Sequence, residues 1–460
     1  SILTGRYPVA GLIVPIPENY PGPLFNIMRS HYRIHASESV TRLSETYEDG
    51  FEVDGVDARM LAGDIAIFYA RSLLPVRVSD DWLPLEEGIW GGFLGRMPEQ
   101  RQEESRDALG EWLGDNNQWR VGSRKSANRY RQSLQYADEM ASYPRNTFHY
   151  LHLMIPHRPY GFLPTGRQYF FSYNSDIEHV DAIRLEREAH ILQVGLADTI
   201  LGNIRSGLEK SGQWEDSMVV VLADHGEAYR PEENNRLITP KNIGEVGFVP
   251  LLIKYPGQQE GSVDDTNVQT IDIAPTILDV LGIQNGPLME GRSLIDENAS
   301  IPETKKIMSE SGTTYSIPEQ AYQQSRAFAH RSAVKFFSLN EPRSDLFNYG
   351  PGLAYLGVQL AKLRSFRSPY QLGVYDLKQY QHIDFDAPEI PVLIQGKVLD
   401  APELDPKDFV VAISINGVVR AVTTPFRSTK GELYFHKVLS EGALGETNDV
   451  LVVLLPTTKR

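Results

Sequence analysis

The chain has no cysteine in 460 residues, which excludes a disulfide framework, a thiolate metal site and a cysteine nucleophile among them. It also has no apolar window approaching the roughly 20 residues that a membrane span requires. It opens on Ser1 with neither a signal peptide nor an initiator methionine, as a fragment or a processed chain would. Basic residues are outnumbered, 45 Lys and Arg against 60 Asp and Glu. The resulting net charge of −15 argues against nucleic acid or an anionic membrane surface as the main partner. Internal repeats and low-complexity tracts are absent. What is plentiful is apolar: 41% hydrophobic residues suffice for a large core and a second domain.

The stretch Ser217–Glu227, SMVVVLADHGE, carries the strongest chemical signal. Its Val-rich run lacks polar alternation and predicts a strand buried on both faces, as in the middle of a parallel sheet. Open α/β sheets bind ligands just beyond the carboxyl ends of their strands, which is where Asp224 and His225 fall. A carboxylate beside an imidazole is a natural pair of ligands for a divalent cation, and Gly226 lets the backbone turn away. The alternative is a strand-end turn with Asp224 as a helix cap and His225 solvated.

The second signal is Thr147–Tyr169, where an alternating strand runs into Pro156-His157-Arg158-Pro159-Tyr160. Prolines on either side restrict the directions in which His157 and Arg158 point. An imidazole that donates to an oxygen or protonates a leaving group, next to a guanidinium that binds oxygens bidentately, suits an anionic ester. The alternative is a His157 that hydrogen-bonds a backbone carbonyl in its own loop. His149 and His152 precede it on opposite faces of the strand and read as packed or exposed.

VVVLADHGE, followed by VPLLIKYPGQ (Val249–Gln258), TIDIAPTILDVLGI (Thr270–Ile283) and EGRSL (Glu290–Leu294), resembles the C-terminal half of a sulfatase, a family of the alkaline-phosphatase-like superfamily. The resemblance implies an α/β fold with a doubly wound, mostly parallel sheet flanked by helices. It also implies Asp224 and His225 as ligands of one divalent metal ion (calcium, manganese or zinc; calcium in a true sulfatase), and His157 as a catalytic, substrate-contacting residue. Basic residues of the following loop reach over the metal in the family, a role open to Arg230, Arg236 or Lys241, with Arg158, Arg236 and Lys241 taken as substrate-binding. SILTGRYP at Ser1–Pro8 resembles the end of the sulfatase signature, which puts the nucleophile and the first pair of metal-binding aspartates upstream of Ser1. Thr4, the hydroxyl of the matched tetrad, is read as bonding local backbone. The family's Gly-Lys-Trp-His-Leu-Gly motif has no counterpart, and His31 and His35 match it poorly, a departure from ordinary sulfuric-ester specificity.

Elsewhere the spacing predicts an amphipathic helix over Ala58–Leu74, an exposed charged segment over Pro98–Ser133 and a long helix over Ile183–Lys210 stopped by Ser211-Gly212. Three regions follow: a sulfatase-like core over 1–298, an irregular connector over 299–388 and a small antiparallel β domain over 389–460, with Asn416-Gly417 as a hairpin turn. The implied function is metal-dependent hydrolysis of a sulfuric or phosphoric ester by an extracytoplasmic enzyme, membrane-anchored through a missing N-terminal region. Alternatives are transfer of a phosphoglycerol or phosphoethanolamine group to an envelope polymer or lipid, and a non-catalytic binding or scaffold domain.

Overall fold

The computed structural model describes residues 2–8, 24–37, 130–158, 160–170, 179–230, 236–284, 289–309, 313–337, 345–366, 370–387, 389–428 and 430–457. Contacts divide the chain into two units, residues 1–43 with 127–460 and residues 44–126, and the described residues belong to the first. The helix expected over Ala58–Leu74 and most of the charged segment Pro98–Ser133 lie outside the described residues.

The class is α/β, with a smaller β-rich C-terminal part. Strands β1 (Arg33–Ser37) and β2 (Thr147–Leu151) pair in parallel, Arg33 opposite Thr147. The short helix Leu24–Met28 covers them with Phe25, whose ring meets Phe148 and Tyr150 edge-on at 5.9 and 5.1 Å between centroids. His35 and His149 stand opposite each other in this pairing, with their Nδ1 atoms 3.1 Å apart. The His35 ring is stacked between Tyr136 and Tyr143. Both imidazoles are therefore packed groups.

The helix His179–Lys210 buries Leu185, Ala189, Leu192, Leu196 and Ile200, a stripe at three- and four-residue spacing. It stops at Gly212, whose φ of +68° is available to glycine without strain. Ahead of this helix the short strand β3 (Gln168–Tyr169) pairs in parallel with β9 (Glu389–Ile390); after it, strand β4 (Val219–Leu222), half-buried, pairs antiparallel with β5 (Leu251–Lys254). This corrects the expectation of a parallel neighbour for that strand on the described side. A parallel return needs a crossover long enough to carry the chain back. The described part of the connection holds only a four-residue helix, Ile243–Val246.

The segment carrying Leu3-Thr4-Gly5-Arg6 is clasped by the EGRSL motif. The Gly5 carbonyl accepts from the Glu290 and Gly291 amides at 2.7 and 3.0 Å, and the Tyr7 amide donates to Glu290 Oε2 at 2.9 Å. A Cβ on Gly291 would lie 2.0 Å from the Ile271 carbonyl oxygen, so only glycine permits this approach. Buried Asp272 holds the other side, accepting from the Gln269 and Arg292 amides. Thr4 is buried, and among the described residues its Oγ1 has no hydrogen-bond partner, contrary to the local backbone bond expected of it.

The C-terminal part is a sandwich of a four-stranded sheet, β13 (Phe426–Arg427), β14 (Leu433–Val438), β10 (Leu393–Val398) and β8 (Leu372–Val374), and a three-stranded sheet, β12 (Val418–Thr423), β11 (Phe409–Ile415) and β15 (Val450–Pro456). Val411, Ile413 and Ile415 of β11 face the core between the sheets, whereas Val410 and Ala412 face a second cluster under Leu353, Tyr355 and Leu360. Asn416-Gly417 forms the β11–β12 hairpin with φ of +52° and +79°. Residues 299–388 are not irregular throughout. They contain the β6–β7 hairpin (Thr304–Met308, Thr314–Pro318), the helix Glu319–Phe337 and strand β8, which belongs to the sandwich. Leu185 and Leu192 of the long helix share the main sandwich core, and buried Lys437 of β14 places Nζ 2.5 Å from Glu188 Oε1 on that helix.

Candidate active site

The DHG segment leaves β4 in a turn that only glycine closes. The Gly226 amide donates to the Val246 carbonyl at 2.7 Å, and a Cβ at this position would lie 2.1 Å from the Glu245 carbonyl oxygen. Because the obstacle is backbone, Gly226→Ala should cost about 1–3 kcal/mol as the turn shifts. The check is the urea midpoint; an unchanged midpoint would show that the turn yields freely.

In this turn Asp224 Oδ1 accepts from the His225 amide at 2.9 Å, and Oδ2 lies 3.7 Å from His225 Nε2. His225 Nδ1 lies 2.9 Å from the Gly226 carbonyl. A carbonyl only accepts, so Nδ1 carries the hydrogen and the Nε2 lone pair faces outward. His157 is arranged in the same way. Its Nδ1 donates to the Arg158 carbonyl at 2.7 Å, which is the backbone bond weighed above as an alternative, and its Nε2 remains an acceptor.

The two lone pairs converge on one guanidinium. Arg236 places Nη1 3.3 Å from His157 Nε2 and Nη2 2.9 Å from His225 Nε2. Four of the residues anticipated in the sequence, Asp224, His225, His157 and Arg236, thus form one exposed polar group. Lys241 is exposed, and among the described residues it makes no hydrogen bond or ion pair to them. Arg230 is committed to Glu245 at 2.6 Å.

Arg158 turns the other way. Its Nη2 lies 2.7 Å from buried Glu186 and 3.7 Å from Glu227. Burial alone would depress the guanidinium, but Glu186, Tyr160 and Glu227 outweigh it and hold its pKa above the ordinary value. A cation paired with two carboxylates orients its own loop, and Arg158 points toward Glu186 and Glu227 rather than toward Arg236 and the two imidazoles. The same loop is held by buried Gln193, whose Nε2 donates to the Pro156 and His157 carbonyls at 3.1 and 3.2 Å. Glu186 and Gln193 are seven residues apart, two turns of one helix face.

Behind the imidazoles lies a cluster absent from the sequence reading. Tyr160 and Tyr229 both reach Glu227 Oε2, at 2.9 and 3.0 Å, and their hydroxyls are 2.7 Å apart. His190 packs between the two phenol rings. Burial would raise the Glu227 carboxyl, but Tyr160, His190, Arg158 and Tyr229 together hold it below the usual carboxylate range. Burial holds His190 below the usual imidazole range against the opposing charge of Glu227. The available signals were Glu227 directly after DHG, and the polar Glu186 and Gln193 on an otherwise apolar helix face.

Asp224 and His225 are ligand types that suit a divalent cation, and the tautomer of His225 puts the lone pair on Nε2, where an ion would take the place of the Arg236 Nη2 contact. Among the described residues, no group of three or more His, Cys, Asp or Glu gathers to hold an ion. These two donors therefore fit part of a coordination shell.

Three kinds of comparison bear on this arrangement. The sulfatase family model matches residues 95–283, a span that includes the His157 loop and the DHG turn. Over that span, which is less than half of the chain, the sequence is similar to sulfatases. It is 31% identical over 121 residues to the multifunctional alkaline phosphatase superfamily protein PehA of Trinickia caryophylli, covering 25% of this chain and 22% of that protein. It is 26% identical over 178 residues to the lipoteichoic acid synthase of Staphylococcus saprophyticus, covering 36% of this chain and 26% of the synthase. It is 29% identical over 115 residues to arylsulfatase K of Danio rerio, covering 25% and 22%. The matched stretches thus span about a quarter of these relatives' own length. Among solved structures, the phosphonate monoester hydrolase of Silicibacter pomeroyi aligns with a TM-score of 0.37 at 18% identity, over 66% of this chain and 68% of that one.

Proposed function

We propose that this chain is a member of the sulfatase family and part of an extracytoplasmic enzyme, anchored to a membrane in its full-length form, that hydrolyses a sulfuric or phosphoric ester with the help of one divalent metal ion. The observation that carries the reading is the convergence of His157 Nε2 and His225 Nε2 on Arg236, at 3.3 and 2.9 Å, beside Asp224. Asp224 and His225 would hold the ion, with further donors from outside the described residues. When bound, the ion supplies positive charge for the nonbridging oxygens of the ester. Arg236 binds the same oxygens through its paired N–H groups. His157, with Nδ1 fixed on the Arg158 carbonyl, accepts or returns a proton at Nε2 where the leaving oxygen departs.

A second reading, transfer of a phosphoglycerol or phosphoethanolamine group to an envelope polymer or lipid, is favoured by one observation. Of the three relatives above, the lipoteichoic acid synthase matches the largest share of the chain, 36%. Both readings need the same groups.

The test is titration of the full-length protein with manganese, zinc and calcium by calorimetry, alongside turnover of p-nitrophenyl sulfate and p-nitrophenyl phosphate. Asp224→Ala and His225→Ala should each weaken metal binding at least about ten-fold. Unchanged metal affinity in both variants, or a wild type that binds none of the three ions, would leave the non-catalytic binding or scaffold reading in place.

A further inference from the structure

Glu227 stands between the two segments that carry the imidazoles. It follows the DHG turn directly, and two of its partners come from the other segment: Tyr160 lies three residues after His157, and Arg158 is the immediate neighbour of His157. The Glu227 side chain is only 15% exposed, so these contacts are formed largely out of water. Two phenols carry two hydroxyl hydrogens, yet three short oxygen–oxygen contacts join Tyr160, Tyr229 and Glu227. Only two of the three can be hydrogen bonds at once. The carboxylate is the acceptor within reach of both hydroxyls, and its second oxygen faces Arg158 at 3.7 Å.

We infer that Glu227 is a positioning residue that sets the distance between the His157 and His225 imidazoles by tying the PHRPY loop to the DHG turn. The inference rests on the reading of these two histidines as partners around one anionic ester. Gln193 joins the loop to the long helix, the Gly226 amide joins the turn to Val246, and the Tyr160 and Tyr229 hydroxyls, 2.7 Å apart, also connect the two segments. Arg236 bridges the same imidazoles, but from the exposed side. Without the Glu227 carboxylate the buried bridge is reduced to the Tyr160–Tyr229 hydroxyl contact, which lacks the charged acceptor, while Arg158 keeps Glu186 and the loop keeps Gln193. The fold should therefore survive while the two rings drift apart. Misplacement of a reacting group by about 1 Å costs up to roughly 100-fold in rate.

The experiment compares wild type, Glu227→Ala, Glu227→Gln and Tyr160→Phe as full-length proteins. Histidine labelled with carbon-13 at Cε1 gives the His157 and His225 signals, assigned by their loss in His157→Gln and His225→Gln. Turnover of p-nitrophenyl sulfate and p-nitrophenyl phosphate, and manganese affinity, are measured on the same samples. In Glu227→Ala both histidine signals should move and kcat should fall at least about ten-fold, with KM and manganese affinity within about two-fold of wild type. Glu227→Gln should recover most of kcat, because its amide oxygen still accepts from both phenols. Tyr160→Phe removes one donor without touching a charge and gives the same readout should Glu227→Ala fail to fold. Histidine signals that stay in place in Glu227→Ala, or in Tyr160→Phe where Glu227→Ala does not fold, overturn the inference. So does a loss of kcat that merely tracks a loss of manganese affinity. A wild type without turnover refutes the ester reading instead, and the signals still decide the role of Glu227.

Discussion

Replacing Glu188 with alanine should destabilise the protein by about 3–5 kcal/mol, as expected when one partner of a buried ion pair is removed. Glu188 and Lys437 retain 4% and 3% side-chain exposure, so the ammonium left behind has no route to water without local unfolding. The Tyr349 ring, 4.0 Å from Lys437 Nζ, attracts the charge but does not replace the carboxylate. Most of the penalty is the cost of the stranded cation. Glu188→Leu combined with Lys437→Met should therefore recover most of the loss. Urea denaturation of the single and double variants checks this; a single variant within 1 kcal/mol of wild type, by the order of magnitude for exposed pairs, would show that water reaches the pair.

A second large effect is expected on acidification. Burial, with His35 adding to it, depresses His149 to about 4 from its ordinary 6.5. The paired Nδ1 atoms at 3.1 Å require one N–H and one lone pair, so protonating both rings would set two N–H groups against each other. Tyr136, Tyr143 and Glu139 face the pair from the neighbouring segment, and only Glu139, 3.5 Å from His35 Nε2, favours the charged form. As pH falls below 6.5 the unfolded chain takes up a proton at His149 that the folded chain refuses until about 4. The unfolded state then binds more protons, and stability declines across that window by on the order of 3 kcal/mol. Buried His436 acts in the same direction, pushed down to about 3 by burial with Arg184 and Lys437 adding to it, while Glu188 at 3.7 Å opposes. Urea midpoints at pH 7, 6, 5 and 4.5 should fall steadily in wild type and less steeply in His149→Gln. Equal slopes would assign the acid sensitivity to other groups.

How much of this could be read in advance depended on whether a feature was local. Val219–Leu222, the helix ending at Gly212 and the Asn416-Gly417 hairpin were legible, because each is written in consecutive residues by apolar spacing or by a glycine. The gathering of Asp224, His225, His157 and Arg236 was legible through the order of family motifs. Pairing direction and depth were not: an apolar run leaves open which edge its neighbour takes, β5 came back antiparallel, and the strand is half-buried rather than covered on both faces. The pairing of Arg158 was hidden because its partners Glu186 and Glu227 lie 28 and 69 positions further along, distances at which no spacing rule operates. The pair Glu188–Lys437, 249 residues apart, was hidden for the same reason.

The sandwich at the C-terminal end is less separable than a boundary at 388/389 suggests. Strand β8 lies before that boundary, and Leu185 and Leu192 complete the apolar interior from within the α/β part. Residues 389–460 made alone would present an open flank of Val, Leu and Phe and a lysine without its counter-charge, a combination prone to self-association. Any exchange of this module between relatives must carry the matching stretch of long helix with it, so the two parts are constrained to change together.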